Sequence, residues 1–592
     1  MRADSQYLLA DHGKSDWKIV VGADAIAPER HAAEELQYFL REISGAHLAI
    51  VADNVPLARN EIIVGDNKHL FGTGVQLDCS KLGSEGFCIQ TAGGSLVIAG
   101  GKPRGTLYGV YTFLEDYLGC RWFYRKVSRI PKRDKMEIGE IHDEQIPALE
   151  YRDPYFAGSV EGEWHARNKS NSHFARLEDI HGYKVVYSHF VHTFDSLLPV
   201  AKYFDSHPEY FSEVDGRRIS DRTQLCLTNP DVLKISISSI QRWLKEEPKA
   251  SIVSVSQNDW RNPCQCGKCK AIDEYEGSHS GTLIRFVNEI AEALEHEFPH
   301  VAVDTLAYQY TRKPPRHVRP RKNVIVRLCS IECCFAHPLE KCHSEVGAYG
   351  PDRSRTWVKG GFSDDLEAWS KVCDRLYVWD YVTNFQHYVQ PFPNFKVLQA
   401  NIRYFVKHHV KGIFEEGNNS AKGESSECDQ MRQYVLAKLL WNPDYDVEVA
   451  VNEFMTAYYG MAAAAMRRYY DLIHKQVEAP GVHMSIYDPP TSAYLNETML
   501  DEADRLFDKA EMIADNEEVL KRVRTARLPI RYVRLCIAPA DAAGLEERIE
   551  RFFEDVKAAQ IKEIAESRPL EESRTLMLKR VTTAHNLGGI KP

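Results

Sequence analysis

The chain has 592 residues, 44% of them hydrophobic and 27% charged, the composition of an ordinary soluble globular protein too long for one core. Its 74 basic and 84 acidic residues leave a net charge of −10 with no basic run, which argues against nucleic acid as a partner. No apolar stretch approaches the ~18–20 residues a membrane helix needs, and fourteen irregularly spaced cysteines read as reduced thiols rather than a disulfide framework.

The start, Met-Arg-Ala-Asp-Ser-Gln, lacks a basic-then-apolar leader, so the expected location is cytoplasmic. Strands are predicted over 17–21, 48–52, 61–65, 86–91 and 95–99. Ala32, Leu36, Phe39, Leu40 and Ile43 mark one face of a helix over 27–43, and a second helix is expected over 108–118. This is an α+β unit, residues 1–145. Residues 101–106, Gly-Lys-Pro-Arg-Gly-Thr, lack the Lys-Ser/Thr ending of a phosphate loop and read as a turn leading into the second helix.

From residue 146 to 443 the pattern becomes strand, loop, helix, repeated. Strands are expected at 149–156, 184–193, 223–228, 251–256, 301–308, 323–329, 375–379 and 412–414. Helices are expected at 230–245, 282–297, 364–373, 393–408 and 429–441. Eight such units predict an α/β fold, a (β/α)₈ TIM barrel with its working face at the C-terminal strand ends. From 444 to 592 long amphipathic segments at 447–459, 463–477, 496–516 and 517–537 predict a helical domain that supports the barrel or forms a homodimer interface.

The expected strand ends are polar in a recurring way. They carry His189 and His192; Asn258, Asp259 and Trp260; Tyr308 and Tyr310; Glu332; Trp379, Asp380 and Tyr381; and Glu415, Glu416 and Asn418. Any one of these acids alone reads equally well as a surface or salt-bridged group. Their recurrence suits a polar ligand, and acids beside aromatic rings suit a sugar, whose C–H faces stack on rings while carboxylates and amides hold hydroxyls.

Hydrolysis of a glycosidic bond needs a protonated carboxyl and a second carboxylate as nucleophile or base. Glu332, beside Cys333, Cys334 and Phe335, is the candidate acid/base. Glu416, with Glu415 as its substitute, is the candidate nucleophile or base, and Asp259 is a rival acid. Asp380 is placed to orient an acetamido group or a water. No cofactor is expected for catalysis. Cys264, Cys266 and Cys269 form a Cys-x-Cys-x-x-Cys run that suits a structural Zn²⁺, with Cys226, His343, Cys333 or Cys334 as the fourth ligand. The alternative is a set of free thiols.

Arg104-Gly-Thr-Leu-Tyr-Gly-Val-Tyr-Thr-Phe-Leu-Glu115 and Gly119-Cys-Arg-Trp-Phe-Tyr124 resemble the small domain that precedes the barrel in α-glucuronidases and β-hexosaminidases. His207-Pro-Glu-Tyr-Phe, Gln224-Leu-Cys-Leu-Thr-Asn-Pro230, Ser254-Val-Ser-Gln-Asn-Asp-Trp260 with its cysteine run, and Phe414-Glu-Glu-Gly-Asn418 resemble domain of unknown function 4838. Its characterised members are family 163 glycoside hydrolases, endo-acting β-N-acetylglucosaminidases. The resemblance implies a retaining, two-carboxylate mechanism on a carbohydrate substrate, while charge and hydropathy lead to the expectation of no nucleic acid or membrane partner. An inverting α-glucuronidase-like hydrolase and a non-catalytic carbohydrate-binding protein are the alternatives.

Overall fold

The computed structural model describes residues 6–157, 161–349, 355–419, 427–479 and 481–588. A six-stranded mixed sheet lies at the amino-terminal end. Its order is His142–Gln145, Phe87–Ala92, Ser95–Gly100, Glu61–Val64, Lys18–Val21, Ile50–Ala52. Helices Ala27–Ser44 and Gly105–Thr112 pack on it, burying Leu36, Leu40, Leu107 and Tyr111 in one cluster. Gly105 begins the second helix, so residues 101–104 do form the turn into it.

The central sheet is parallel and curled. Its strands are Tyr151–Tyr155, Val410–Glu416, Leu376–Tyr381, Val324–Cys329, Ala302–Ala307 and Ile252–Ser254, in that spatial order. Six of the eight expected strands are therefore present. The other two are corrected. The 184–193 segment contributes one parallel bridge, Tyr187 to Ile252, before Val191 and His192 turn into the left-handed region at φ +22° and +52°. Such backbone cannot continue a ladder. The 223–228 segment makes an isolated antiparallel bridge, Leu225 to Phe211. Asn171 spans the interval between the first strand and the 185–189 segment. Its side-chain carbonyl accepts from Arg152 N at 3.0 Å, and its backbone carbonyl accepts from Val185 N at 2.8 Å.

The concave face of the sheet is filled at its lower level by Tyr151, Tyr187, Ile252, Ile325, Tyr377 and Phe414. Arg327 sits among these rings, fully buried, with Asp304 3.3 Å from its Nε and the Tyr187 hydroxyl also bonded to it. The interior is thus a packed, ion-paired floor, and a ligand is confined to the strand ends above it.

Helices Pro230–Glu246, Ser280–Glu295, Phe362–Ser370, Phe395–Lys407 and Asp429–Trp441 cover the outer face. The first is capped by Asn229, whose side chain accepts from Asp231 N. Helices Val447–Tyr459, Ala463–Val477, Glu497–Ile513 and Glu517–Ile537 follow. Their apolar faces share one continuous core with the sheet-covering helices, from Phe123 to Val533. Among the described residues no helix is long and apolar enough to cross a membrane.

Candidate active site

The C-terminal ends of the parallel strands open on a cavity of about 280 Å³. Strand register decides which residues reach it. Trp379 pairs with Phe414 and Tyr381 with Glu416, while Asp380 pairs with Glu415 between them. Side chains alternate along a strand, so Trp379, Tyr381 and Glu416 share the concave face and line the cavity. Asp380 and Glu415 face the other way. There Ser330 Oγ donates to Asp380 at 2.5 Å, and burial, with each carboxyl next to the other, raises the affinity of this pair for a proton. Glu415 and Asp380 therefore lie away from the cavity wall that Glu416 lines.

Glu416 is 8% exposed and accepts a hydrogen bond from Trp379 Nε1 at 2.8 Å. Burial pushes its carboxyl up to about 8. The Trp379 and Asn419 hydrogen bonds pull the other way, and the nearby Glu566 and Asp259 charges add to the rise. A carboxyl protonated at neutral pH is what a general acid requires. Asp259 also lines the cavity, open to solvent, and accepts from the Tyr308 hydroxyl at 2.9 Å.

The third carboxylate of the cavity, Glu566, has no counterpart in the sequence reading. It lies between helices Leu545–Ala558 and Leu570–Gly588, with its backbone N–H bonded to Phe385 O at 2.8 Å. Asn419 Nδ2 donates to its carboxylate at 2.7 Å, while Asn419 Oδ1 accepts from the Tyr388 hydroxyl. Burial raises its pKa, the Asn419 bond opposes this, and the Asp259 charge adds to it.

Glu332 is a correction. Its neighbour Ile331 lines the cavity, but Glu332 lies outside that wall. Arg312 Nη1 is 3.4 Å from its carboxylate, and the same guanidinium holds Glu345 at 3.0 Å and Asp365 at 2.9 Å. Burial raises its pKa against the pull of Arg312. The cavity brings Glu416 together with Asp259 and Glu566, and not with Glu332.

The remaining expected contacts divide. Tyr308, Trp379, Tyr381 and His192 line the cavity, joined by Phe385 and Tyr487. His192 Nδ1–H donates to Gln257 O at 2.8 Å, which leaves Nε2 as its remaining polar atom. His189 instead stacks on Trp243, with ring centroids 3.6 Å apart. The Asn258 side chain is occupied by Asp195 N and Thr223 O, and Trp260 Nε1 donates to Thr223 O outside the cavity wall. Tyr310 packs against His279 in a separate small cavity. Asn418 is fully buried, and its carbonyl accepts from Ala157 N.

The cysteine run meets Cys226. The Sγ atoms of Cys226, Cys264, Cys266 and Cys269 all lie within 4.8 Å of one another, and Cys226 is 3.7 Å from Cys266 and 3.9 Å from Cys269. A tetrahedral zinc with bonds of about 2.3 Å sets sulfurs about 3.8 Å apart, so the donor set fits that ion. Glu213 N–H and Arg218 Nη1 approach Cys264 Sγ at 3.4 and 3.6 Å, as donors to a thiolate would. His343, Cys333 and Cys334 are not part of this cluster.

Residues 122–471 match the family described as domain of unknown function (DUF4838), and residues 9–113 match the glycosyl hydrolase family 67 N-terminus. No curated protein matches the chain. Among solved structures, a family GH115 4-O-methyl-α-glucuronidase with specificity for decorated arabinogalactans is similar in fold at TM-score 0.53 and 12% identity, covering 98% of this chain and 77% of that one. A family 89 glycoside hydrolase from Clostridium perfringens aligns at TM-score 0.45 and 10% identity, over 90% of this chain and 65% of that one.

Proposed function

The chain belongs to the DUF4838 family, and from that premise we propose that it is a glycoside hydrolase, a retaining β-N-acetylglucosaminidase-type enzyme acting on glycan oligosaccharides. The observation that carries this reading is a buried, proton-holding Glu416 in a ring-lined cavity shared with Asp259 and Glu566. The curled sheet is read as a (β/α)₈ barrel whose second and third strands are irregular, with Asn171 bridging one gap in the ring. The family 67-like amino-terminal match agrees at the level of fold.

The cavity composition favours a neutral sugar. Three acids and five aromatic rings line it, and among the described residues no Arg or Lys does. A uronic acid would place its carboxylate against these acids without a cationic clamp. Arg152 and Arg327 are themselves buried in ion pairs with Glu85 and Asp304.

In the proposed reaction Glu416 gives its proton to the leaving glycosidic oxygen as the Asp259 carboxylate attacks the anomeric carbon. The C–O bond breaks and a glycosyl–Asp259 ester forms. Glu416, now ionised, takes a proton from water, whose oxygen displaces Asp259 with a second inversion. Asn419 ties Glu566 beside this pair, where its charge favours the protonated form of Glu416.

The test is a panel of aryl glycosides and oligosaccharides, including β-N-acetylglucosaminides and α-glucuronides, with the product anomer read by NMR. Glu416→Gln is expected to lower kcat/KM by ~10²–10⁴-fold, and azide should partly rescue Asp259→Ala by forming a glycosyl azide. Turnover of the glucuronide alone would replace the proposed sugar. An inverted first product would exclude the ester, and wild-type rates in Glu416→Gln would remove the site.

The four-cysteine cluster is proposed as a structural zinc site that fixes the turn after Asp259. Thiolate ligands fill every position, so it would offer no site for substrate. Metal analysis of wild type against Cys269→Ser tests it, and equal zinc contents would dismiss it.

A further inference from the structure

A second thiol–imidazole cluster lies outside the cavity and plays no part in the reaction above. Cys334, His337 and Cys342 lie on one loop after the Val324–Cys329 strand, in the pattern Cys-x-x-His-x₄-Cys. His483 reaches them from the segment between helices Ala463–Val477 and Glu497–Ile513. One donor atom from each of the four lies within 4.8 Å of all the others.

The distances suit a metal better than chance packing. Cys334 Sγ is 3.4 Å from both His337 Nδ1 and His483 Nδ1, and Cys342 Sγ is 3.7 Å from His483 Nδ1. Zinc bonds of about 2.3 Å to sulfur and about 2.0–2.1 Å to nitrogen, at tetrahedral angles, set S and N about 3.5–3.6 Å apart. A thiol has one proton to donate, so thiol–imidazole hydrogen bonds serve these crossed contacts only for particular tautomers. A central cation serves all of them at once. The other ring nitrogen of His483, Nε2, is 3.4 Å from Ser344 Oγ, the outer-shell partner a ligating histidine usually has.

The backbone holds the ligands in place without any ion. Cys333 bridges Glu345, Cys334 N–H donates to Ser344 O at 3.1 Å, and Phe335 N–H donates to Met484 O at 2.8 Å. We propose that Cys334, His337, Cys342 and His483 form a second structural zinc site, stapling the loop after the Val324–Cys329 strand to the 481–487 segment. A closed S₂N₂ set is the donor chemistry that zinc prefers over harder cations. The staple joins two walls of the cavity, since Ile331 lies at the start of the loop and Tyr487 ends the segment. The proposal holds whether or not the chain cleaves sugars.

The experiment compares the zinc content of the full-length wild type, His483→Ala, Cys342→Ser and Cys269→Ser after saturation with zinc under reducing conditions and gel filtration. His483→Ala and Cys342→Ser should each hold one equivalent less than wild type, and Cys269→Ser should keep the equivalent they lose. Equal metal in wild type and His483→Ala overturns the proposal. Should the variants not fold, alkylation of the wild type decides. Peptides bearing Cys334 and Cys342 should be protected until a chelator is added. Alkylation that is the same with and without chelator, or a Cys334–Cys342 disulfide in metal-free protein, overturns it.

Discussion

Glu416 concentrates the electrostatics of the site in one side chain. Its folded pKa of about 8 lies above the ordinary carboxyl value of 4.5, so folding favours the protonated form. Stability is then lost as pH rises from about 4.5 towards 8. Glu416→Gln removes a group that must ionise in a buried place, so it should melt higher than wild type at pH 8.5 and near it at pH 5. The gap is of the order of a few kcal/mol, at about 1.4 kcal/mol per pKa unit. A constant gap across that range would show that Glu416 is not the strained group. The same proton sets the basic limb of kcat/KM, which should fall above about pH 8. Trp379→Phe deletes the indole N–H that favours the ionised form, and that limb should move to higher pH. A limb unchanged in Trp379→Phe would assign it to another group.

Elements with a strong period were legible in the sequence, and those shaped by distant contacts were not. Helices Val447–Tyr459, Ala463–Val477 and Glu517–Ile537 fall on their predicted bounds, because long amphipathic segments encode themselves, and Asp429–Trp441, buried on nearly every face, falls on its bounds as well. The 184–193 segment is rich in β-branched and aromatic residues like a strand, but Tyr187 and Phe190 pack against the concave face of the sheet, and Val191 and His192 leave the ladder with no Gly or Pro to announce it. Strand parity put Glu415 and Glu416 on opposite faces, yet both faces of the Val410–Glu416 strand are buried, so the sequence could not say which one met a cavity. Cys226 was legible only as one of four candidates, because spacing along the chain does not say which distant ligand the fold brings to the cysteine run. Glu566 was not, since no pattern marks it and only the fold carries it to Asn419. The end of that last strand is also sterically fixed. A Cβ at Gly417 would stand 2.3 Å from the Phe156 ring, which is itself buried in the main core. Gly417→Ala should therefore cost ~1–3 kcal/mol in a denaturant melt and lower kcat by displacing Glu416. A variant with wild-type melting and turnover would show that the ring yields without cost.

Over the whole molecule, the amino-terminal sheet is keyed into the curled central sheet beside its first strand. Glu85 lies 2.8 Å from Arg152 Nη1 and 2.7 Å from Arg104 Nε, and it accepts from Asn171 Nδ2 at 2.8 Å. Asn171 spans the interval beside the first strand, and Arg152 lies on that strand. One buried carboxylate thus joins the two sheets and holds the bridge between Tyr151–Tyr155 and the 185–189 segment. Burial pushes the Glu85 carboxyl up, but Arg152 and Arg104 outweigh it and hold it down at about 2. A depressed carboxyl contributes stability that is present above about pH 4.5 and is lost as pH falls towards 2. Removing one partner of such a buried group leaves the guanidinium charges uncompensated, at a cost of ~3–5 kcal/mol. Glu85→Gln, similar in shape but neutral, should therefore be far less stable than wild type at pH 7. That difference should shrink steadily from pH 4.5 to pH 2.5. The loss should also reach the cavity, because the first strand pairs Tyr155 with Glu416, so kcat should fall in the variant even where it remains folded. Equal stability at pH 7 would mean that the two sheets dock through their apolar surfaces alone. A difference that persists unchanged at pH 2.5 would assign the effect to packing rather than to the charge of Glu85.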